Sequence, residues 1–135
     1  MPLFRKREVD VYDEEGEYIG KGYVMKEGKM IVGCNITTKD GNKIFEDKEN
    51  LIVFKFGVVR VPKIDNYEKI KEKIEYLKEK KEKLLLECGK LVARRMIGDM
   101  LFSDFSKLMK ETSRKCEIIS AVIERYESMR GRVKK

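Results

Sequence analysis

The stretch Val11–Gly22, VYDEEGEYIGKG, sets four carboxylates, Asp13, Glu14, Glu15 and Glu17, around a glycine and follows them with Gly20-Lys21-Gly22. Clustered carboxylates can hold a hard cation through oxygen, and a glycine-rich run ending in Lys can cradle a phosphate with its backbone N–H groups. Neither template is met. A phosphate loop spaces its glycines by four residues and follows Gly-Lys with Ser or Thr, so that the backbone wraps the phosphate and a hydroxyl reaches magnesium. Here Gly16 and Gly20 are one residue too close, Gly22 takes the hydroxyl position, and no helical pattern starts at Lys21. A calcium loop needs ligands at fixed offsets and a bidentate Glu at its end, which this run lacks. The plainer reading is a hydrated hairpin turn.

Other chemistry is as thin. With no His in the chain, a Ser or Cys nucleophile would need Lys or a carboxylate as its base, and no spacing brings Ser103, Ser120, Cys88 or Cys116 to one. Cys34, Cys88 and Cys116 are far apart and contain no Cys-x-x-Cys pair, so they read as small buried hydrophobes, with a disulfide as the lesser alternative, and not as a zinc site. The expectation is a non-enzyme without metal or cofactor.

The elements that would position these residues fall into two halves. Residues 1–62 carry 11 Lys/Arg and 11 Asp/Glu, whereas residues 63–135 carry 20 and 13, so the whole excess of +7 belongs to the second half. From Glu8 to Val61 short strands alternate with turn chemistry: Val9–Tyr12, Tyr18–Met25, Lys29–Cys34, Lys43–Glu46 and Leu51–Val61, separated by breaks that each hold Gly, Asn or Asp. Five or six such strands without intervening helices predict a small antiparallel sheet, which hides its edges best by curling into a barrel. Pro62 closes the region, because proline donates nothing to a ladder.

Beyond Pro62 the period changes. Asp65 and Glu68 have capping-box spacing. Tyr67, Ile70, Ile74, Leu77, Lys81, Leu84, Cys88 and Leu91 follow at alternating steps of three and four, a heptad seam with one charged intruder. The helix is expected to run to Ile97, about 30 residues or roughly 45 Å, with Gly98 as its C-terminal cap. Ser103 or Asp104 is expected to cap a second helix ending near Gly131, with Phe105, Leu108, Thr112, Cys116, Ile119, Ile123 and Tyr126 on its inner face. Two long helices joined by so short a connection predict an antiparallel hairpin. The fold class is therefore α+β: a small β-barrel over 1–62, then a basic two-helix hairpin over 63–135.

A lone hairpin buries one seam. Leu85, Leu86, Val92, Met96, Leu101, Phe102, Met109, Val122 and Met129 lie off it, so a homodimer or larger homo-oligomer is expected. The oligomerisation or seam residues are Ile70, Ile74, Leu77, Leu84, Leu91, Phe105, Ile119, Ile123 and Tyr126.

The opening pattern VDVYDEEGEYIGKG, a strand, an acidic turn with Gly16, and Gly20 entering the next strand, resembles the PRC-barrel, a small β-barrel. The continuation VVRVPKID, a charged coiled-coil helix and the hinge GDMLFSDFSKLMKE is similar to the archaeal CdvA proteins of cell division. That resemblance covers nearly the whole chain. It implies a polymerising scaffold that associates with membrane or DNA and recruits ESCRT-like partners. The sequence ends at Lys135 without the separate C-terminal peptide those proteins use to bind their partner, so ESCRT recruitment is not among the expectations.

Composition agrees in direction. The chain lacks His, Trp and Gln and is rich in Lys and Glu, the drift of hyperthermophile proteins, which suggests a thermophilic archaeal source. No signal-peptide core or membrane-length apolar run is present, so a soluble cytoplasmic protein is expected. The alternative function is nucleic-acid binding through Arg94, Arg95, Arg114, Lys115, Arg130, Arg132, Lys134 and Lys135, although few aromatics stand beside them for base stacking. Leu3 and Phe4 before Arg5-Lys6-Arg7 offer a weak peripheral membrane contact that would need multivalent assembly.

Overall fold

The computed structural model describes the backbone of residues 4–133 and the side chains of residues 8–133. The proposed N-terminal membrane contact, Lys134 and Lys135 lie outside these described residues. The chain divides into two compact units, residues 1–63 and 64–135.

The first unit is a curled six-stranded half-barrel, built from β1 (Phe4–Tyr12), β2 (Tyr18–Glu27), β3 (Met30–Thr38), β4 (Lys43–Asp47), β5 (Leu51–Phe54) and β6 (Gly57–Arg60). The strand order is β4-β3-β2-β1-β6-β5. Its concave side collects Val11, Val24, Cys34, Ile36, Leu51 and Val58 into a buried core, the inward set of an alternating pattern.

Two features differ from the sequence expectation. The run Leu51–Val61 is two strands joined by a tight turn at Lys55-Phe56, with Phe54 paired to Gly57 across it. That extra reversal brings β6 to β1 in parallel, pairing Val11 with Val58 and Tyr12 with Val59, while every other pairing is antiparallel. The sheet is also not closed by strand pairing, since β4 and β5 end it.

Side chains close that gap. Glu46 of β4 is buried, and its Oε1 accepts from Arg60 Nε of β6 at 2.6 Å while Oε2 accepts from Asn50 Nδ2 at 3.2 Å. Asn50 ends the 3-10 turn Lys48–Asn50, and its carbonyl accepts from Val61 N at 2.7 Å. The ion pair thus ties the edge strand β4 to β6, the neighbour of the other edge strand β5, beside the short turn that connects β4 with β5.

The second unit is two helices, α1 (Tyr67–Met96) of 30 residues and α2 (Phe102–Arg132) of 31, packed against each other. The N-cap of α1 is Asn66 and not Asp65: Asn66 Oδ1 accepts from Lys69 N at 3.0 Å, and Glu68 sits in the first turn beside the positive helix end. Gly98 caps α1 as expected. With φ +77° it donates to the Arg95 carbonyl while Asp99 donates to that of Arg94, the two bonds of a Schellman motif. Ser103 and Asp104 do not cap α2. The cap position is Leu101, without a side-chain bond, and both polar residues lie inside the first turn. Gly131 lies within α2, which continues to Arg132.

Two expected outcomes follow from these contacts. Glu46→Ala strips a buried ion pair and leaves Arg60 and Asn50 without their acceptor, so chemical denaturation should show a loss of about 3 kcal/mol. Cys34 is fully buried, and desolvation pushes its thiol pKa up to about 11 from 9.0. The unfolded chain ionises there first, so stability contributed by this thiol is intact below pH 9 and is lost as pH rises from about 9 to 11. Urea midpoints measured across that window should fall less in Cys34→Ala than in the parent chain.

Candidate interaction surface

In the opening stretch, each chemistry-bearing group already has a structural task. Asp13 Oδ1 accepts from the backbone N–H of Glu15 at 2.9 Å and of Glu17 at 3.0 Å, an Asx-type arrangement that shapes the β1–β2 turn. Lys21 faces Asp10 in the β1–β2 register, with Nζ 2.5 Å from Oδ1, and this hydrogen bond raises the Lys21 pKa. Gly20 has φ +152°, and a Cβ there would overlap the Thr37 carbonyl of β3. The glycine therefore serves close strand approach. Among the described residues, no group of three or more His, Cys, Asp or Glu side chains is placed to hold a metal ion.

The helical unit is more informative. Ile70, Ile74, Leu77 and Leu84 on α1 and Ile119, Ile123 and Tyr126 on α2 are buried, as the heptad spacing predicts. Thr112 is buried too, its hydroxyl donating to the Leu108 carbonyl at 2.8 Å. Leu91, Phe105 and Cys116 are half-buried, and Leu108, expected on the inner face, is exposed. Burial pushes the Cys116 thiol up, with the nearby Cys88 adding to the shift.

Burial is uneven along the helices. From Leu85 to Glu111 no residue is buried. Here Met96 is 82% exposed, Ile97 79%, Leu101 71% and Phe102 66%, with Leu85, Leu86 and Val92 also open. Monomeric surfaces rarely leave such large side chains contiguous and uncovered. At the other end the buried stripe of α2 is wider than a seam, taking in Ile118 and Val122. Val122 was expected to lack cover and is fully buried. The doublets Ile118-Ile119 and Val122-Ile123 carry that signal, since adjacent apolar pairs four residues apart widen an apolar stripe. Ile97 gave no periodic signal because it lies at the cap, outside the heptad frame.

The candidate nucleic-acid residues fall into separate groups. Arg94 and Arg95 occupy the last turn of α1, where Arg94 Nε is 3.5 Å from Asp99 and Arg95 stands over the Phe102 ring at 5.7 Å. Arg114 and Lys115 are half-buried in the middle of α2. Arg130 and Arg132 are in its last turn, Arg130 3.9 Å from Glu127 and Arg132 donating to Ser128 Oγ at 3.1 Å. From Phe102 to Arg132 the helix rises roughly 45 Å, so Arg95, which lies over Phe102 at the start of α2, is far from Arg130 and Arg132 at its end.

No family model matches the chain, and no curated protein or solved structure matches it either. Among the described residues, no helix is long and apolar enough to cross a membrane.

Because the exposed apolar side chains contribute little to the fold of the single chain, Leu86→Gln, 67% exposed in the interior of α1, should change unfolding stability by less than about 0.5 kcal/mol. Leu77→Ala, in the buried seam, should cost about 2 to 5 kcal/mol in the same denaturant titration.

Proposed function

We propose that this protein is a non-enzymatic, self-assembling scaffold whose helices form an antiparallel hairpin and associate with a second copy through the end that carries the connection. The observation that carries this reading is the unfinished core of that end: apolar residues at seam spacing continue through Leu91 and Phe105, yet nothing between Leu85 and Glu111 is buried. A second hairpin laid against it would turn one half-covered seam into the interior of a four-helix arrangement. The hairpin itself is supported by the five-residue connection Ile97–Leu101 and by Arg95 standing on Phe102. With the end of α1 against the start of α2, the second helix packs along the first only by doubling back.

The curled sheet, with Gly16 at the acidic turn and Gly20 in the second strand, supports reading the first unit as a PRC-type barrel. In the setting that the CdvA resemblance implies, the assembly would serve archaeal cell division. A nucleic-acid face is the less favoured reading. Counterion release rewards convergent basic side chains, and here they stand in separated groups, with Arg94 and Arg130 each beside a carboxylate.

Sedimentation equilibrium from about 1 to 100 µM should give a mass that rises with concentration above the 15.9 kDa chain toward at least the dimer. Ile97→Asp with Phe102→Asp should restore the monomer mass while leaving helical circular dichroism unchanged. A parent chain that stays at 15.9 kDa throughout would refute assembly.

A further inference from the structure

Strand β1 is nine residues long, but only Val11 and Tyr12 pair with β6. Phe4–Val9 is paired on one side alone, with β2. Among the described residues no strand lies along its other edge, which leaves that row of backbone donors and acceptors open. The fork has a visible cause. Gly57 begins β6 so close to the Asp10 carbonyl that a Cβ would overlap it, and the Lys55-Phe56 turn ends the β5–β6 hairpin at that point, so the earlier part of β1 runs on past it.

The fork encloses an open cleft of about 190 Å³. Val9, Val24 and Ile31 line one side of it and Val53, Phe54 and Phe56 the other. Three lysines and two carboxylates complete the lining, but they are not equally available. Lys21 is held by Asp10 at 2.5 Å, and Glu8 accepts from the Tyr23 hydroxyl at 3.2 Å. Lys26 and Lys55 have no ion-pair partner among the described residues. An open strand edge asks for extended backbone, an apolar floor for alternating apolar side chains, and two uncommitted ammonium groups for carboxylates between them.

We propose that this fork is a peptide-docking site, which takes an extended, acidic segment of a partner protein as an added strand along β1. Main-chain hydrogen bonds to the edge that precedes Asp10 supply the binding. The lysines select acidic over basic segments. All of the residues that build the site belong to the first unit.

The test is an NMR titration of the isotope-labelled full chain with a capped peptide of alternating Glu and Val, about six residues to match the open edge. Amide shifts are expected at Glu8–Asp10 and Val53–Gly57, and Lys26→Glu with Lys55→Glu should weaken binding about tenfold or more. The Lys/Val counterpart should bind more weakly than the Glu/Val peptide. Alternate N–H groups of a strand point to opposite edges, so N-methylation at every Glu or at every Val should abolish binding in one series and spare the other. The proposal fails if those amides do not move, if both methylated series bind alike, or if the Lys/Val peptide binds as tightly. It also fails if exchange protection at Glu8–Asp10 rises with protein concentration in the peptide-free chain, which would make a second copy the occupant. Sedimentation of the same samples reports helical association separately.

Discussion

Glu46, on one edge strand of a sheet that strand pairing does not close, reaches across to Arg60 beside the other edge. A six-stranded sheet of this size, curled but open, leaves β4 and β5 as edges, and the backbone alone provides nothing to join them. Burying a carboxylate there is tolerable only because Arg60 and Asn50 supply donors to both of its oxygens. The same group turns a hydrophilic side chain inward on an edge strand, which discourages pairing with another chain. The curl that results lets Cys34, Leu51 and Val58 meet Val11 and Val24 in one core.

The helical unit obeys a different constraint. Two helices share one seam, and a seam is dry only where side chains on both sides are large enough and well enough covered to exclude water. Toward the N-terminus of α1 and the C-terminus of α2 this condition is met by Ile70, Ile74, Ile118, Ile119, Val122 and Tyr126. Toward the connection it is not, although the apolar content continues. The Schellman turn at Gly98 adds to the asymmetry by presenting Met96 and Ile97 to solvent at the helix end.

How much of this was legible in the sequence varies with the range of the interaction. The acidic turn at Asp13–Glu17, the Gly98 cap and the length of α1 depend on neighbours a few residues away, and their residue types announce them. The cap at Asn66 in place of Asp65 is an error of one residue between two equally competent cap types. The break at Lys55-Phe56 was less visible. A continuous apolar run reads as one strand, and Gly57 is needed because Asp10, nearly fifty residues away, presses against it.

By itself, the sequence determined that the chain changes from a two-residue to a heptad period at Pro62, where turns fall, and that the apolar supply of the helices exceeds one seam. These follow from local conformational preference and side-chain periodicity, which need no knowledge of distant residues. Only the tertiary structure decided the parallel meeting of β1 and β6, the closure of the sheet by Glu46 and Arg60, the open fork along β1, and which end of the helices stays uncovered. Each depends on which remote groups become neighbours, and that is settled by long-range packing and desolvation, to which residue spacing along a chain is blind.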